Sequence, residues 1–427
     1  MCSVFGKYKA EPVHVRVELL KKISEKISDV SEDLAQLLTL ETGKPIKYSR
    51  IEVQRAILTF TLGSEEASRI NGELIDLSRI KGSENVQGII KRFPVGVILA
   101  ITPWNFPVNL VAHKLSPALA SGNVVLLKPA SASAACGIEI VKIIKECCDE
   151  MELGYYPVNV LTAPGSITEE FASDERVNLV SFTGSSSVGW HLKKVLNRQK
   201  ISLELGGNAG VIVDETANIE DAVGKIVTGA FSQAGQSCIS VQRIFVHKTI
   251  YEKFLDRYIG ETEKLKVGDP FDNETDVASM INEEEAKRAE SWIQDAISEG
   301  AKAVTGGTRQ AAVLAPTILC DTNTNMKVNS HEVFAPVATV TEFSDFGSAI
   351  EMINDSKFGL QAGVFTNNMK NAFNAFEKIE TGGVIINNVS TYRMDAMPYG
   401  GVKDSGNARE GVRFAIEEMT ERKIMVI

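Results

Sequence analysis

Short apolar runs alternate with helix-length segments through the middle of the chain, and this alternation constrains the fold more than any other feature. The runs lie at 96–101, 123–127, 158–161 and 179–182, and each is followed by a turn that contains glycine or proline. Strands that alternate with helices of this length form βαβ units and a parallel sheet, with ligands at the carboxyl ends of the strands. The pattern therefore predicts an α/β fold.

A second set of apolar runs predicts a second α/β unit. These runs lie at 210–213, 243–247, 338–342, 363–365 and 383–387. The chain has 427 residues, which exceeds what one hydrophobic core usually serves. Before the first strand, residues 13–40 have the apolar spacing of an amphipathic helical pair, and residues 48–70 that of a further helix. Residues 72–94 contain turn signals and short alternating segments, which predict an exposed hairpin.

Charge and cysteine content exclude several classes of protein. A net charge of −10 without a basic run argues against nucleic-acid binding. Six scattered cysteines indicate a reducing, cytoplasmic setting, and the five histidines have no metal-ligand spacing. The N-terminus lacks an apolar signal core, and the longest apolar run is too short to cross a bilayer, so we expect no membrane contact. There is no GxSxG elbow and no phosphate loop.

Two segments contain residues suited to covalent catalysis. Cys238 follows glycine, glutamine and serine in GAFSQAGQSCIS, whereas a cysteine in a helical core would have apolar neighbours. Glu204 lies in the glycine-bounded segment LELGGNAG. A lone cysteine is often a small core hydrophobe, but a partly exposed thiol together with a remote carboxylate suits a nucleophile and a base that activates water.

The GQSC segment downstream of ELGG resembles the nucleophile and general-base segments of the aldehyde dehydrogenase superfamily. The resemblance implies that Cys238 is the nucleophile and Glu204 the general base. Asn105, in PWNFP, is by itself typical of a turn or a cap. The resemblance implies that its side-chain amide stabilises an oxyanion, together with the backbone amide of Cys238.

The resemblance also implies NAD or NADP as the cofactor. The segment FTGSSSVG follows a strand and opens a helix, where free amides suit a pyrophosphate, although by itself this pattern is a weak signal. Lys128, otherwise a solvated loop lysine, should reach the adenosine ribose, and Ser131 leaves NADP possible because it carries no repelling carboxylate. The other residues implied to contact the cofactor are Thr102, Pro103, Trp104, Phe182, Thr183, Gly184, Ser185, Val188, Gly189, Leu205 and Gly206.

The segment HEVFAPV resembles the E-x-F-G-P segment of the family. There Glu332 would bind the nicotinamide ribose and Phe334 would border the ring, while an isolated exposed glutamate is the alternative. Ala335 replaces the usual glycine, which predicts a less permissive backbone at this position.

The family's architecture implies three parts. These are a Rossmann-like cofactor domain at 1–206 that is interrupted by the hairpin, a catalytic α/β domain at 207–405, and a C-terminal segment at 406–427. We expect a homodimer or a homotetramer in which the hairpin is a small oligomerisation element. The final residues, 423–427, would pair with a neighbour's hairpin. The chain begins later than most of the family, which implies fewer strands beside the cofactor domain.

The late segment NNVSTYRMDAMPYGGVKDSG looks closest to members that act on lactaldehyde, glycolaldehyde or glyceraldehyde. Arg393 could anchor a polar group of the substrate, or it could form a salt bridge with Asp395. Succinic semialdehyde or a phosphorylated aldehyde is the alternative substrate. Acyl transfer to coenzyme A and a non-catalytic member of the fold are further alternatives. A thiol of low pKa would argue against the non-catalytic one.

Overall fold

A computed structural model describes residues 1–427, with 15 α-helices and 19 β-strands. The helices are α1 (Cys2–Tyr8), α2 (Val13–Asp29), α3 (Ser31–Thr42), α4 (Ile46–Ala67), α5 (Asn109–Ala120), α6 (Ala134–Glu150), α7 (Gly165–Ser173), α8 (Ser186–Val195), α9 (Ile219–Phe231), α10 (Tyr251–Thr262), α11 (Glu283–Ser298), α12 (Lys327–Ser330), α13 (Phe346–Asn354), α14 (Met369–Lys378) and α15 (Val412–Glu418). The strands are β1 (Glu73–Asp76), β2 (Gln87–Pro94), β3 (Val97–Ile101), β4 (Val124–Lys128), β5 (Val158–Val160), β6 (Leu179–Thr183), β7 (Lys200–Glu204), β8 (Gly210–Val213), β9 (Arg243–His247), β10 (Lys302–Thr305), β11 (Arg309–Gln310), β12 (Val313–Leu314), β13 (Thr317–Cys320), β14 (Val337–Phe343), β15 (Phe358–Gly359), β16 (Gln361–Phe365), β17 (Gly383–Ile386), β18 (Val402–Lys403) and β19 (Thr420–Val426).

The first large sheet is parallel throughout and has the strand order β5-β4-β3-β6-β7. Four of its strands lie where apolar runs predict them. The sequence analysis missed β7 as a strand, because only its last two residues are buried, and it ends on Glu204. The predicted α/β class with a Rossmann-like parallel sheet is confirmed.

Helices cover this sheet and form its core. The predicted helical pair is present as α2 and α3, which join at Val30, and the next predicted helix is α4. All twelve residues of α5 are buried, because this helix packs against α4, α15 and the sheet. Burial of a whole helix requires partners for any charged residue within it. His113 and Lys114 are the two residues of α5 to which this applies.

The second large sheet has seven strands in the order β10-β13-β14-β9-β8-β16-β17. Its five predicted strands are contiguous and parallel, from β14 to β17. The sequence analysis missed β10 and β13, the two neighbouring strands at one end of the sheet. β10 (KAVT) is only partly buried and pairs antiparallel with β13, so it lacks the long apolar run of a central parallel strand.

The third sheet has three strands in the order β1-β2-β19. The predicted hairpin is present as β1 and β2. The prediction that the C-terminal run pairs with a neighbour's hairpin is wrong, because β19 pairs antiparallel with β2 of its own chain, from Thr420 opposite Pro94 to Val426 opposite Gly88. The residues that flank the two strands are already joined, because the Val95 amide, just after β2, donates to Met419 O at 3.2 Å. β19 therefore begins beside the hairpin of its own chain.

Two large core clusters accompany the two large sheets. The first contains residues between Tyr8 and Leu179 and also three residues of the C-terminal segment, from Val412 to Met419. The second contains residues between Val211 and Val389. The domain boundaries at 206/207 and 405/406 stay predictions. None of the helices has both the length and the apolar character needed to cross a membrane.

Candidate active site

A cavity of about 660 Å³ lies where the two large sheets meet. The carboxyl ends of β3, β6 and β7 reach it from the first sheet, as the βαβ pattern predicts. The second sheet presents its opposite edge, because Cys238 and Glu332 lie in loops that precede β9 and β14. The rule that ligands lie at carboxyl ends therefore holds for the first sheet only. The cavity brings together Cys238, Glu204 and Asn105.

Cys238 lies in the loop after a 3₁₀ turn at Ser232–Gly235 and is half-buried. The turn contains three consecutive residues with positive φ: Gln233, Ala234 and Gly235 at 55°, 53° and 66°. A Cβ at position 235 would overlap the carbonyl of Ala335, so this position requires glycine. The tight turn directs the loop of Cys238 back into the cavity.

The thiol of Cys238 lies 3.0 Å from the hydroxyl of Tyr399. Burial raises the pKa of the Cys238 thiol to about 12. The Tyr399 hydrogen bond and the charge of Arg393 lower this pKa, while the carboxylates of Glu332 and Glu204 raise it. A low pKa would have argued against a non-catalytic member of the fold; burial instead raises the pKa of this thiol, and the two carboxylates add to that effect.

Glu204 ends β7 and is buried, with 4% of its surface exposed. Neither of its carboxylate oxygens accepts a hydrogen bond. Burial, followed by the charge of Glu410, raises the pKa of Glu204 well above its usual value, although Arg393 and Lys114 lower it. A buried carboxyl of raised pKa is suited to accepting a proton near neutral pH. Behind it lies a second cavity of about 20 Å³, enough for one water.

Asn105 is held from both sides. Its backbone carbonyl accepts hydrogen bonds from Lys44 Nζ at 2.8 Å and Gln233 Nε2 at 2.5 Å. Its side-chain amide donates to Gln236 O at 3.1 Å, two residues before Cys238. Lys44 is paired with Glu52, and both are buried. These contacts fix the turn after β3 against the loop of the cysteine.

The turns predicted to hold the cofactor lie on one side of the cavity. Those that line it are Pro103, Trp104, Thr183, Gly184, Ser185, Leu205 and Gly206. The others lie behind or beside it. Thr102 and Phe182 are buried, Val188 and Gly189 lie in the first turn of α8, Lys128 ends β4, and Ser131 is exposed at a 3₁₀ turn.

Glu332 lies against the turn after β7. Its carboxylate accepts a hydrogen bond from the Gly207 amide at 3.0 Å, and a Cβ on Gly206 would overlap it. Burial raises the pKa of Glu332 to about 7. Phe334 packs edge-on against Trp104, with 5.7 Å between ring centroids. The residue with positive φ here is Phe334, at 51°, and Ala335 has ordinary backbone, so the absence of a glycine causes no strain at 335.

Arg393 also lines the cavity, but the pairing considered for it with Asp395 is wrong. Its guanidinium donates to Glu410 at 2.8 Å, and Asp395 instead accepts from Arg55 at 2.7 and 3.1 Å. Asp395 also lies 2.8 Å from His113 Nε2. Arg393 and Asp395 are two residues apart on an irregular loop and point in different directions, so sequence proximity did not predict the partner.

The sequence analysis missed several polar residues of the site. These are Lys44, Glu52, Arg55, His113, Lys114, Tyr399 and Glu410. One signal was available, since His113 and Lys114 are the titratable residues of a mostly apolar helix, and a charge that is buried in such a helix must be paired.

Glu410 connects the buried charges. Its carboxylate lies 3.6 Å from Lys114 and 2.8 Å from Arg393. Burial raises the pKa of Glu410, but Lys114 and Arg393 outweigh that effect and hold it at about 2.

Comparison with known proteins gives one consistent result. A sequence model described as the aldehyde dehydrogenase family matches residues 3–425. A 3-sulfolactaldehyde dehydrogenase from Priestia megaterium is 45% identical over 413 residues, 96% of this chain and 86% of that protein. A lactaldehyde dehydrogenase from Methanococcus vannielii is 41% identical over 413 residues, 96% of this chain and 87% of that protein.

Solved structures agree with the sequence comparison. Aldehyde dehydrogenase 21 from Physcomitrella patens, in complex with the reaction product succinate, superimposes with a TM-score of 0.97 at 38% identity, over 100% of this chain and 88% of that one. A glyceraldehyde-3-phosphate dehydrogenase from Methanocaldococcus jannaschii, complexed with NADP, has a TM-score of 0.95 at 38% identity, over 100% and 92%.

The charge balance at Glu410 predicts a large effect on stability. Replacing Glu410 with Gln leaves two buried cations without their shared anion, so we expect the free energy of unfolding at pH 7 to fall by about 3–5 kcal/mol. The matched control is Glu417→Gln, on a half-exposed side chain 3.9 Å from Arg92, which should change it by less than about 1 kcal/mol. Denaturant titrations measure both.

The pH dependence of that stabilisation has a definite sign. The pKa of Glu410 is lowered from 4.5 to about 2 in the folded chain, so its contribution is complete above the unfolded value and is lost as the pH falls toward 2. As the pH falls below 4.5, the free energy of unfolding of wild type should therefore decrease relative to that of Glu410→Gln. Parallel stability curves in acid would contradict the assignment.

Proposed function

Because the chain belongs to the aldehyde dehydrogenase family, we propose that Cys238, Asn105 and Glu204 carry out the NAD(P)-dependent oxidation of a small polar aldehyde to its acid. The observation that carries the proposal is the convergence of these three side chains on one cavity, from three distant segments. Several of the residues assigned to the cofactor line the same cavity. Membership of the family shows that the chain is an aldehyde dehydrogenase. The role of each residue is our proposal.

Cys238 and Asn105 act in the first half of the reaction. The Cys238 thiol first gives its proton to water; its thiolate attacks the aldehyde carbon, a C–S bond forms as the carbonyl π bond breaks, and the oxygen takes the negative charge. One N–H of Asn105 is engaged by Gln236 O, which leaves the second N–H available for that oxygen. The backbone amide of Cys238 is the other donor. Donors fixed in advance stabilise the charge where it develops.

The residues present fit a dinucleotide. The ten-residue helix α8 begins at Ser186 without a side-chain cap, and its free amides face the turn of Thr183, Gly184 and Ser185. Lys128 and Ser131 would hold the adenosine end, and Glu332 the nicotinamide ribose. When bound, NAD or NADP supplies the acceptor for the hydride that leaves the substrate carbon. The exposed Ser131 presents no carboxylate that would repel the 2′-phosphate of NADP, so this position is compatible with both NAD and NADP.

Glu204 acts in the second half. The acyl group that remains on Cys238 is a thioester, and Glu204 takes a proton from the water that attacks it. The C–S bond breaks, the acid leaves, and sulfur departs as thiolate. The small cavity behind Glu204 is lined by Ser202 and Lys114, and a water there would accept the proton in turn. A base at this position favours hydrolysis over transfer to coenzyme A.

Two guanidinium groups favour a polar or acidic substrate. Arg393 Nε is buried without a hydrogen-bond partner, and Arg55 Nη1 makes no hydrogen bond in the chain. Both residues line the cavity. Guanidinium groups bind hydroxyl, carboxylate, sulfonate or phosphate groups. We therefore propose a lactaldehyde- or glyceraldehyde-like substrate, with succinic semialdehyde or a phosphorylated aldehyde as the second candidate.

Replacing Glu204 with Gln tests the mechanism. We expect the first turnover, seen as a burst of one reduced cofactor per site, to remain, because Glu204 acts only in hydrolysis. Steady-state turnover should fall by about 100-fold or more. Stopped-flow absorbance with NAD and with NADP measures both phases. Cys238→Ser is the control, and it should abolish the burst. Equal loss of burst and turnover in Glu204→Gln would contradict the role of this residue.

Replacing Arg393 with Gln tests the substrate class. We expect KM for an acidic aldehyde such as succinic semialdehyde to rise about 10- to 100-fold, the effect of losing a hydrogen bond between charged groups. KM for uncharged butyraldehyde should change little. Arg409→Gln is the control for loss of one positive charge near the site, since the Arg409 guanidinium binds only backbone carbonyls. Unchanged kinetics on every small aldehyde would exclude Arg393 as an anchor.

We also propose that the chain assembles into a dimer or a tetramer. Helix α14 exposes an apolar face made of Met369, Phe373 and Phe376, each at least 61% exposed. A second apolar surface lies on β19, where Ile424 to Ile427 are 48–62% exposed. Exposed apolar surfaces of this kind mark protein interfaces, and β19 also has a free strand edge. A second copy of the chain can cover both surfaces.

Charged substitutions on α14 test the assembly. Phe373→Glu combined with Phe376→Glu should convert the oligomer to a monomer, because the charges would be buried in the interface. Lys370→Glu, on the same helix, is the control for added negative charge and should leave the assembly intact. Light scattering after size-exclusion chromatography gives the mass. A wild type that is monomeric at all concentrations would contradict the proposal.

A further inference from the structure

The hydroxyl of Tyr399 is placed at the sulfur of Cys238. The two atoms are 3.0 Å apart, and Tyr399 is 4% exposed. The hydroxyl makes no other hydrogen bond in the chain, so Cys238 is its single partner. A buried phenol normally has a hydrogen-bond partner, and here that partner is the nucleophile.

The position of Tyr399 is fixed by its backbone. Its amide donates to Glu410 O at 3.1 Å, and the Glu410 amide donates to Tyr399 O at 2.6 Å. The residue after Tyr399 is Gly400, and a Cβ at this position would lie 2.6 Å from Glu204 Oε1. The segment therefore contacts both the base and the nucleophile and has little freedom to move.

A cation lies on the ring of Tyr399. The guanidinium carbon of Arg393 is 3.7 Å from the ring centroid, and Glu410 holds that guanidinium at 2.8 Å. A cation on the face of a phenol attracts electron density and makes the hydroxyl a stronger donor. Arg393 thus acts on the thiol through the ring, and its contact with Glu410 keeps it there.

We infer that Tyr399 is a catalytic residue whose hydroxyl donates a hydrogen bond to the Cys238 thiolate, with Arg393 as the positioning residue behind it, on the premise that Cys238 is the nucleophile of the proposed function. The same hydrogen bond stabilises the sulfur when it leaves the thioester as thiolate. The groups that oppose it are the carboxylates of Glu204, at the end of β7, and Glu332, in the loop before β14.

Loss of the Tyr399 hydroxyl changes the reaction rate of Cys238 in two opposing ways, through the fraction of thiolate and through its nucleophilicity. A hydrogen bond to a charged group is comparable to about one pKa unit, so its loss leaves about tenfold less thiolate at a pH below the midpoint. A thiolate of higher pKa is also the better nucleophile, which restores about threefold. The net expectation is a reaction about threefold slower below the midpoint, with no loss where the thiol is fully ionised.

Replacing Tyr399 with Phe tests this, because the ring and its packing against Arg393 remain. The rate of alkylation of Cys238 by iodoacetamide is measured as a function of pH in the free enzyme. We expect the variant to be about threefold slower at every pH below the midpoint and to approach or exceed the wild-type rate at high pH. The matched control, Tyr156→Phe, removes a surface hydroxyl and should leave the profile unchanged. Superimposed profiles of wild type and Tyr399→Phe would overturn the inference.

Two further measurements separate the possible failures. If Cys238→Ser keeps its turnover, or if alkylated wild type does, the proposed function itself is wrong. If turnover requires Cys238 but the profile of Tyr399→Phe does not move, only the role of Tyr399 is wrong. Should thermal unfolding show that Tyr399→Phe is not folded, Arg393→Lys replaces it. This variant keeps the charge but removes the planar stack, so a smaller slowing below the midpoint is expected, and an unchanged profile would again overturn the inference.

Discussion

The buried carboxylate of Glu410 is the interaction on which the rest of the site depends. It lies between two buried cations, Lys114 of α5 and Arg393 of the late loop, and none of the three charges could be buried alone without a cost of several kcal/mol. The backbone of Glu410 also pairs with Tyr399. One charge balance therefore joins the core helix of the first sheet to the loop that faces the nucleophile.

The two large sheets meet with opposite edges, and this determines where the chemistry can lie. The first sheet contributes strand ends, so Glu204 is held at the end of β7. The second contributes the loops that precede its strands β9 and β14, and both loops have irregular backbone. The turn before Cys238 has three consecutive left-handed residues, and the loop of Glu332 has one at Phe334. The non-glycine residues among them are strained, and such backbone persists where the surroundings fix it.

Burial affects the acid and the thiol in the same direction. It raises the pKa of both Glu204 and Cys238, and the charge of Glu204 raises the pKa of Cys238 further. Two adjacent buried anions would repel each other, so the resting site favours neutral forms. The positive side of the cavity, where Arg393 stacks on Tyr399, lowers the pKa of the thiol and thereby favours its reactive form.

The sequence by itself determined the α/β class and nearly all central strands, because apolar periodicity reports local burial. Through motifs that resemble those of the aldehyde dehydrogenase family, it also led to the prediction that Cys238, Glu204 and Asn105 share a site, and all three line one cavity. Only the tertiary structure decided that Arg393 pairs with Glu410 and not with Asp395, that β19 joins its own hairpin, and that Tyr399 meets the thiol. Those contacts join segments up to 338 residues apart (Gly88 opposite Val426), and a one-dimensional pattern does not record which distant side chains share a cavity.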